Sequence, residues 1–239
     1  MNLLLLSSSR VDQTEYLEHA RQLIQDHLKQ SVKKALFIPF AGVSVDYDSY
    51  EKMVSNAFNS FGYQVKSTHH YEEPVKAIKD AEAILVGGGN TFALLNQLYS
   101  QNLVSTIQRK INEGTPYIGW SAGSNIASPT IKTTNDMPII EPPSFNALNL
   151  VPFQINPHYI DGNPPGHNGE TREQRLFEFL QLNQKTTVIG IPEGTALKCD
   201  GRQLEFLGHK NGFCFTYAEG KIEIPPGTDL SALMNLSEN

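Results

Sequence analysis

The sequence predicts an α/β protein with a doubly wound, mostly parallel sheet, helices on both faces and a short antiparallel C-terminal extension. Short apolar runs alternate with segments whose apolar residues recur at helical spacing, as buried parallel strands and their crossover helices do. Hydrophobic residues make up 39% and charged residues 18% of the 239 residues, which excludes collagen-like, coiled-coil and disordered classes. No linker interrupts the alternation, so a single α/β domain is expected over residues 1–239.

The first half of the chain repeats a strand–helix–strand pattern. Apolar runs predict strands at residues 3–6, 35–38, 63–66, 83–86 and 116–119. Helical periodicity predicts helices across 16–28 and 50–61 and a further helix from Thr91. This alternation favours parallel pairing, because two parallel strands need a crossover, usually a helix, between them.

The second half departs from this pattern after Ser128. A proline-containing connection of roughly 20 residues follows, and connections of that length in compact domains are more often functional than idle. The alternation is predicted to resume with a strand at 151–156, a helix from about Glu170 to Leu182 and a strand at 187–191. Beyond Glu193, short runs separated by glycines predict antiparallel edge strands.

Charge and cysteine content restrict the partners and the compartment. The net charge of -6 argues against nucleic acid or an anionic membrane as the main partner. Cys199 and Cys214 cannot build a disulfide framework, and no basic leader or membrane-spanning apolar run is present, so a cytoplasmic protein is expected. No histidine lies in an HExxH or comparable spacing, so we expect no catalytic metal in the site and no cofactor.

The strongest local signal is Gly119-Trp120-Ser121-Ala122-Gly123. This G-x-S-x-G motif follows a predicted strand and precedes a plausible helix, which is the context of a nucleophile elbow. Small residues on both sides let a serine hydroxyl stand exposed at a sharp turn, and the free amides of the following helix favour negative charge there. The motif therefore makes Ser121 the candidate nucleophile, with a small-residue turn without chemistry as the alternative.

Two backbone amides are candidates for an oxyanion hole. One belongs to Ala122, directly after the nucleophile, and the other to Gly89 in the Gly87–Asn90 loop that follows the preceding strand. A phosphate-binding loop is the competing interpretation, but a dinucleotide fingerprint needs glycine where Phe92 stands, and no P-loop lysine follows. A tight strand-to-helix turn remains a further alternative.

A serine nucleophile needs a base and an orienting acid. Among the seven histidines, His158 directly follows a predicted strand, which places it at the sheet edge where Ser121 lies. Asp136 in the long connection and Glu193 just after another buried strand compete for the role of the acid. Glu193, like His158, directly follows a buried strand, and this position slightly favours Glu193 as the orienting acid. The other acid could bind a substrate amine.

Six blocks of sequence carry a family resemblance that covers essentially the whole chain. They are residues 37–43 (FIPFAGV), 86–92 (VGGGNTF), 117–123 (YIGWSAG), 133–138 (TTNDMP), 154–158 (QINPH) and 169–175 (GETREQR). In this order they resemble the peptidase E family, which comprises cytoplasmic α-aspartyl dipeptidases of the serine type with a glutamine-amidotransferase-like fold. Ser124, where alanine is usual, and the region from about Thr195 depart from the family pattern.

The resemblance implies hydrolysis of small Asp-X dipeptides through an acyl-enzyme, with Ser121 as nucleophile and His158 as base. It assigns the triad acid to Asp136, with Glu193 as the rival for that role. A substrate aspartate needs a fixed cation, and Arg172 is our candidate because a guanidinium binds carboxylates bidentately. An exposed residue in the first turn of a helix is the other interpretation of Arg172.

Two other functions remain open at this point. A cyanophycinase-like hydrolase would use a similar serine site on an aspartyl-linked polymer, and a ligand-binding module of the same fold would retain the elbow without catalysis. The sequence also leaves a homodimer open.

Overall fold

The computed structural model describes residues 1–29, 31–163, 166 and 168–236, so His167 lies outside the described residues. The strands are β1 (Asn2–Leu6), β2 (Lys34–Ile38), β3 (Gln64–Ser67), β4 (Ile84–Val86), β5 (Tyr117–Trp120), β6 (Gln154–Pro157), β7 (Val188–Ile191), β8 (Ala196–Asp200), β9 (Gln203–Leu207), β10 (Gly212–Thr216) and β11 (Gly220–Ile224). The α-helices are α1 (Arg21–Leu28), α2 (Tyr47–Phe61), α3 (Pro74–Asp80), α4 (Thr91–Ser100), α5 (Val104–Asn112), α6 (Ala122–Asn125) and α7 (Arg172–Leu182). Short 3-10 helices cover Glu18–Ala20, Thr68–His70 and Ser231–Asn235.

Local signals explain where the main helices begin and end. Helix α2 begins three residues before the predicted position because Asp46 caps it, accepting a hydrogen bond of 2.8 Å from the Ser49 amide. It ends at Gly62, whose φ of 100° is a conformation that glycine adopts readily. Helices α3 and α5 were not predicted. Helix α3 is short and buries only Ala77 and Ile78, so its periodic signal is weak. Helix α5 has apolar residues at helical spacing, Val104, Ile107 and Ile111, so its pattern was present and was missed.

The larger sheet confirms the predicted fold class. Its seven strands have the order β3-β2-β4-β5-β1-β8-β9. The first five are parallel, whereas β8 and β9 pair antiparallel at one edge. The mostly parallel sheet and an antiparallel contribution from the C-terminal region are therefore both present.

Four strands form a second sheet that the sequence did not predict. Its order is β11-β10-β7-β6, with β6 and β7 parallel and the other pairs antiparallel. The predicted alternation extended the first sheet through β6 and β7. They cannot join it beside β1, because β8 pairs along the whole of β1, from Asn2 opposite Asp200 to Leu6 opposite Ala196.

Apolar side chains cover both faces of the large sheet. Leu3 and Leu5 of β1 belong to one buried cluster, and Leu4 and Leu6 to another. Because successive side chains point to opposite faces of a strand, a strand buried on both sides has the continuous apolar sequence seen here. The first cluster also contains residues of the second sheet, such as Ile155 and Ile189, so the two sheets share a core.

The carboxyl ends of the parallel strands define one edge of the large sheet. Register pairs Val86 at the end of β4 with Gly119, and Leu6 at the end of β1 with Trp120. The segments that follow these strands therefore leave the sheet side by side, at the edge where open α/β sheets bind ligands. In the described part of the chain, no helix is long and apolar enough to cross a membrane.

Candidate active site

Ser121 occupies a sharp turn between β5 and α6. Its φ of 54° and ψ of -114° are unusual for a residue with a side chain. The turn brings backbones close together: a Cβ on Gly119 would lie 2.3 Å from the carbonyl oxygen of Gly123, and one on Gly123 would lie 2.1 Å from that of Val86. Glycine is therefore required on both sides of Ser121, and the chain has the strand–turn–helix geometry of a nucleophile elbow.

Ser124 fits the same turn although alanine is usual there in the family. The side chain is fully buried. Its Oγ lies 2.7 Å from the carbonyl oxygen of Leu6 and 2.9 Å from that of Gly119. The hydroxyl therefore has partners on β1 and β5, and this departure leaves no polar group unsatisfied.

His158 lies between the serine and an acid. Its Nε2 is 2.8 Å from Ser121 Oγ, and its Nδ1 is 2.8 Å from Glu193 Oε1. The residue follows β6 with a φ of 52°. Its backbone amide donates to Ser7 Oγ at 2.9 Å, and Ser7 Oγ donates to the carbonyl oxygen of Ile191 at 2.7 Å. Ser7, which the sequence analysis missed, thus joins the end of β1 to both strands that precede His158 and Glu193.

The structure pairs His158 with Glu193 and not with Asp136, which corrects the expected pairing. Pro157 is the register partner of Ile191, so the residues just beyond these two strands emerge together. Asp136 Oδ2 instead accepts hydrogen bonds from the Thr91 amide at 2.7 Å and the Thr91 hydroxyl at 2.6 Å. This carboxylate lies at the N-terminus of α4, where free amides and the helix dipole stabilise negative charge.

The two amides expected in an oxyanion hole lie beside the serine. The neighbouring Gly88 is so close that a Cβ there would lie 3.0 Å from Ser121 Cβ. Gly89 has a φ of 133°, and a Cβ on it would lie 2.1 Å from the Ala41 carbonyl oxygen, so only glycine fits. Ala122 is the first residue of α6, and its amide has no partner within the helix. Within the described residues, neither amide donates to another group.

Two buried aromatic residues, Trp120 and Tyr50, and the partly buried Tyr16 form a hydrogen-bonded series that ends at the glycine loop. Trp120 Nε1 donates to Tyr16 OH at 2.9 Å, and the hydroxyl groups of Tyr16 and Tyr50 are 3.4 Å apart. Tyr50 OH donates to the Gly88 carbonyl oxygen at 2.9 Å. Burial is the main cause that raises the pKa of both tyrosines, so both remain neutral hydroxyl donors. No sequence signal marked Tyr16 or Tyr50, because their contacts with Trp120 and Gly88 join distant parts of the chain.

A cleft of about 700 Å³ opens above these groups. Ser121, His158, Gly89 and Asp136 line it, and the exposed Ile139 borders it. Its volume is in the range of small-molecule sites.

Arg172, at the start of α7, is half-buried and does not line this cleft. Burial, followed by the charge of Arg175, lowers the pKa of its guanidinium, whereas the charge of Asp136 raises it. The charges of Arg172 and Asp136 therefore interact, although only Asp136 lines the cleft. Among the described residues, Arg172 makes no side-chain hydrogen bond or ion pair.

Comparisons with known proteins identify the family of the chain. The model of peptidase family S51 matches residues 3–207. A peptidase E of Shewanella denitrificans is 52% identical over 98% of this chain and 99% of the relative, and one of Shewanella baltica (strain OS155) is 53% identical over 98% of both.

Solved structures support the fold. A crystal structure of a candidate peptidase E from Listeria monocytogenes covers 87% of this chain and 98% of its own, with 25% identity and a TM-score of 0.66. A peptidase from an acI-B1 actinobacterium has a TM-score of 0.69 over 96% of both chains, and its 18% identity speaks for the fold alone. The predicted class of enzyme, a serine peptidase, is thereby confirmed, and the chain belongs to peptidase family S51.

Proposed function

We propose that this peptidase hydrolyses dipeptides with an N-terminal aspartate through an acyl-enzyme on Ser121. The observation that carries the proposal is the continuous hydrogen-bonded series from Ser121 through His158 to Glu193, with 2.8 Å at each step. A hydroxyl, an imidazole and a carboxylate in this order form the arrangement that activates a serine nucleophile.

Each group has a defined part in the reaction. His158 removes the proton from Ser121 as its oxygen attacks the carbonyl carbon of the substrate aspartate, and Glu193 holds the ring and stabilises the imidazolium. The amides of Gly89 and Ala122 donate to the oxyanion. His158 then protonates the leaving amine, and water, deprotonated by His158, releases aspartate from the serine.

Asp136 and Arg172 are assigned to substrate recognition. Asp136 borders the cleft, so its carboxylate can accept the α-ammonium group of a dipeptide. The guanidinium of Arg172 is half-buried and interacts with Asp136 through charge. It lacks a partner in the described residues, so it can bind the side-chain carboxylate of the substrate aspartate. Both fixed charges would select a zwitterionic dipeptide with an acidic first residue.

A dipeptide panel that varies the first residue as Asp, Glu, Asn and Ala, with Leu in second position, tests this function. We expect Asp-Leu to be the best substrate, Arg172→Ala to remove most of the preference for Asp over Ala, and Ser121→Ala to lose several orders of magnitude in rate. A fluorophosphonate should label wild-type protein and not Ser121→Ala. An unreactive but folded wild-type protein, or a panel without preference for Asp, would refute the proposal.

Location and assembly are further proposals. Cys199 is buried, Cys214 is partly buried, and both thiols are free, which supports a reducing compartment such as the cytoplasm. The single-domain organisation and a homodimer stay predictions.

A further inference from the structure

Two carboxylates and two imidazoles converge at a place that does not belong to the active-site cleft. Asp48 and Glu51 lie one turn apart in α2, and His69 and His70 are adjacent in the 3-10 helix that follows β3. One ligand atom of each lies within 4.8 Å of the others. We propose that these four side chains bind a divalent transition-metal ion, for which Zn²⁺ is the best match.

The spacing of the ligand atoms supports a single ion. Nε2 of His69 is 2.9 Å from Oδ1 of Asp48, and Nε2 of His70 is 2.6 Å from Oε2 of Glu51 and 3.6 Å from Oδ1 of Asp48. Tetrahedral zinc with bonds of about 2.0–2.1 Å holds its ligands roughly 3.3 Å apart. The two short pairs need to open by only a fraction of an ångström to admit the ion between them.

Groups behind the cluster orient two of the four ligands. Ser67 Oγ is 2.7 Å from Nδ1 of His69, so it can accept the proton of the tautomer that leaves Nε2 free for a metal. The Ser67 amide donates to Oε1 of Glu51 at 2.7 Å, which leaves Oε2 facing His70. Ser67 itself is fully buried. Outer contacts of this kind to an imidazole and a carboxylate are the usual support of a zinc site.

The donor set determines the class of ion. Magnesium and calcium prefer oxygen ligands throughout, whereas two imidazole nitrogens with two carboxylate oxygens suit zinc and its neighbours. The Asp48 side chain is 78% exposed and that of His70 is 39% exposed, which gives the ion a path from solvent. Two carboxylates neutralise the charge of a divalent cation, so the filled site carries no excess charge.

A bound ion would join the N-terminal part of α2 to the end of β3. The same helix carries Tyr50, whose hydroxyl holds the Gly88 carbonyl of the glycine loop. The site is therefore expected to stabilise the fold next to the cleft without contacting the reacting atoms, and ligand binding to the folded state alone raises the melting temperature.

The test is titration of the full-length protein, freed of metal with a chelator, with Zn²⁺ in a calorimeter and with Co²⁺ followed by visible absorption. We expect one equivalent of Zn²⁺ at this site and a rise in melting temperature, both lost in the double variant His69→Asn/His70→Asn. Ser67→Ala should weaken binding roughly 10-fold, because the hydroxyl contact to His69 is removed while the amide contact to Glu51 and all four ligands are kept. Asp48→Asn, an exposed isosteric change that should leave folding intact, replaces an anionic ligand by a neutral amide and should therefore weaken binding at least as much as the loss of an outer contact, about tenfold or more.

The catalytic imidazole is the competing zinc ligand, so His158→Asn is the matched control and should still bind one equivalent at this cluster. Circular dichroism verifies that each variant is folded. A wild-type protein that takes up no Zn²⁺, or a folded His69→Asn/His70→Asn variant with unchanged affinity, overturns the proposal. If that double variant fails to fold, unchanged affinity in Asp48→Asn overturns it equally.

Discussion

Replacing Glu193 by Gln tests the assignment of the orienting acid. The change keeps the size of the side chain and removes the charge that faces Nδ1 of His158 at 2.8 Å. Glu193 is 52% exposed and His158 36% exposed, so solvent screens the pair in part. Unit charges about 4 Å apart interact by about 1 kcal/mol in water and about 4 kcal/mol near a protein surface. Energies of about 1 to 4 kcal/mol correspond to a loss in kcat of roughly 5- to 1000-fold, below the roughly 10,000-fold loss known for a buried triad acid.

The assay is kcat and KM for Asp-Leu, measured in parallel for Glu193→Gln and Asp136→Asn, with urea unfolding to match stability. Glu193→Gln should lower kcat with little change in KM, because the carboxylate acts on the imidazolium that forms in the transition state. Asp136→Asn should mainly raise KM if its carboxylate holds the substrate amine. A near-normal kcat in Glu193→Gln together with a collapse of kcat in Asp136→Asn would refute the reasoning and restore Asp136 as the triad acid.

Three further changes test the support around the site. Tyr50→Phe removes the hydroxyl that donates to the Gly88 carbonyl, so we expect a loss of about 1 kcal/mol in urea unfolding and a lower kcat, and an unchanged kcat would exclude a role in holding the loop. Gly123→Ala places a Cβ 2.1 Å from the Val86 carbonyl oxygen. The variant should lose about 1–3 kcal/mol of stability, although alanine is the better helix former. A stabilised variant would contradict the close approach of the two backbones. Burial lowers the pKa of His27 to about 4. Protonation of His27 should therefore reduce the free energy of unfolding as pH falls from about 6.5 to 4, by about 3 kcal/mol at most. In His27→Gln, the free energy of unfolding from urea denaturation should depend less on pH over that window.

Local sequence was sufficient for the strands of the large sheet and for the turn that holds Ser121. Strands such as β1 are buried on both faces, so burial appears as an unbroken apolar run. Ser121 lies in a motif whose glycines are forced by contacts within a few residues and with the adjacent strand, and the turn geometry follows from them. His158 could be placed because it directly follows a strand.

The features that could not be predicted from the sequence depend on contacts between distant segments. Strand β8 covers the edge of β1, so β6 and β7 form a second sheet. Nothing in the sequence near β6 indicates that β8 pairs with β1. Asp136 lies in a long connection without periodicity, so neither its contact with Thr91 nor its separation from His158 had a local signal. The cluster of Asp48, Glu51, His69 and His70 likewise combines a face of α2 with a 3-10 helix from another part of the chain.

Ser121, the proposed nucleophile, leaves the large sheet after β5, whereas His158 and Glu193 leave the small sheet after neighbouring parallel strands. Adjacent strand ends fix the imidazole and the acid relative to each other, but their distance from Ser121 depends on how the sheets dock. Ser7 supplies that link, because one hydroxyl at the end of β1 accepts from the His158 amide and donates to the Ile191 carbonyl. The 2.8 Å contact between Ser121 and His158 is thus a property of the sheet-to-sheet interface, and changes there should affect kcat before they affect substrate affinity.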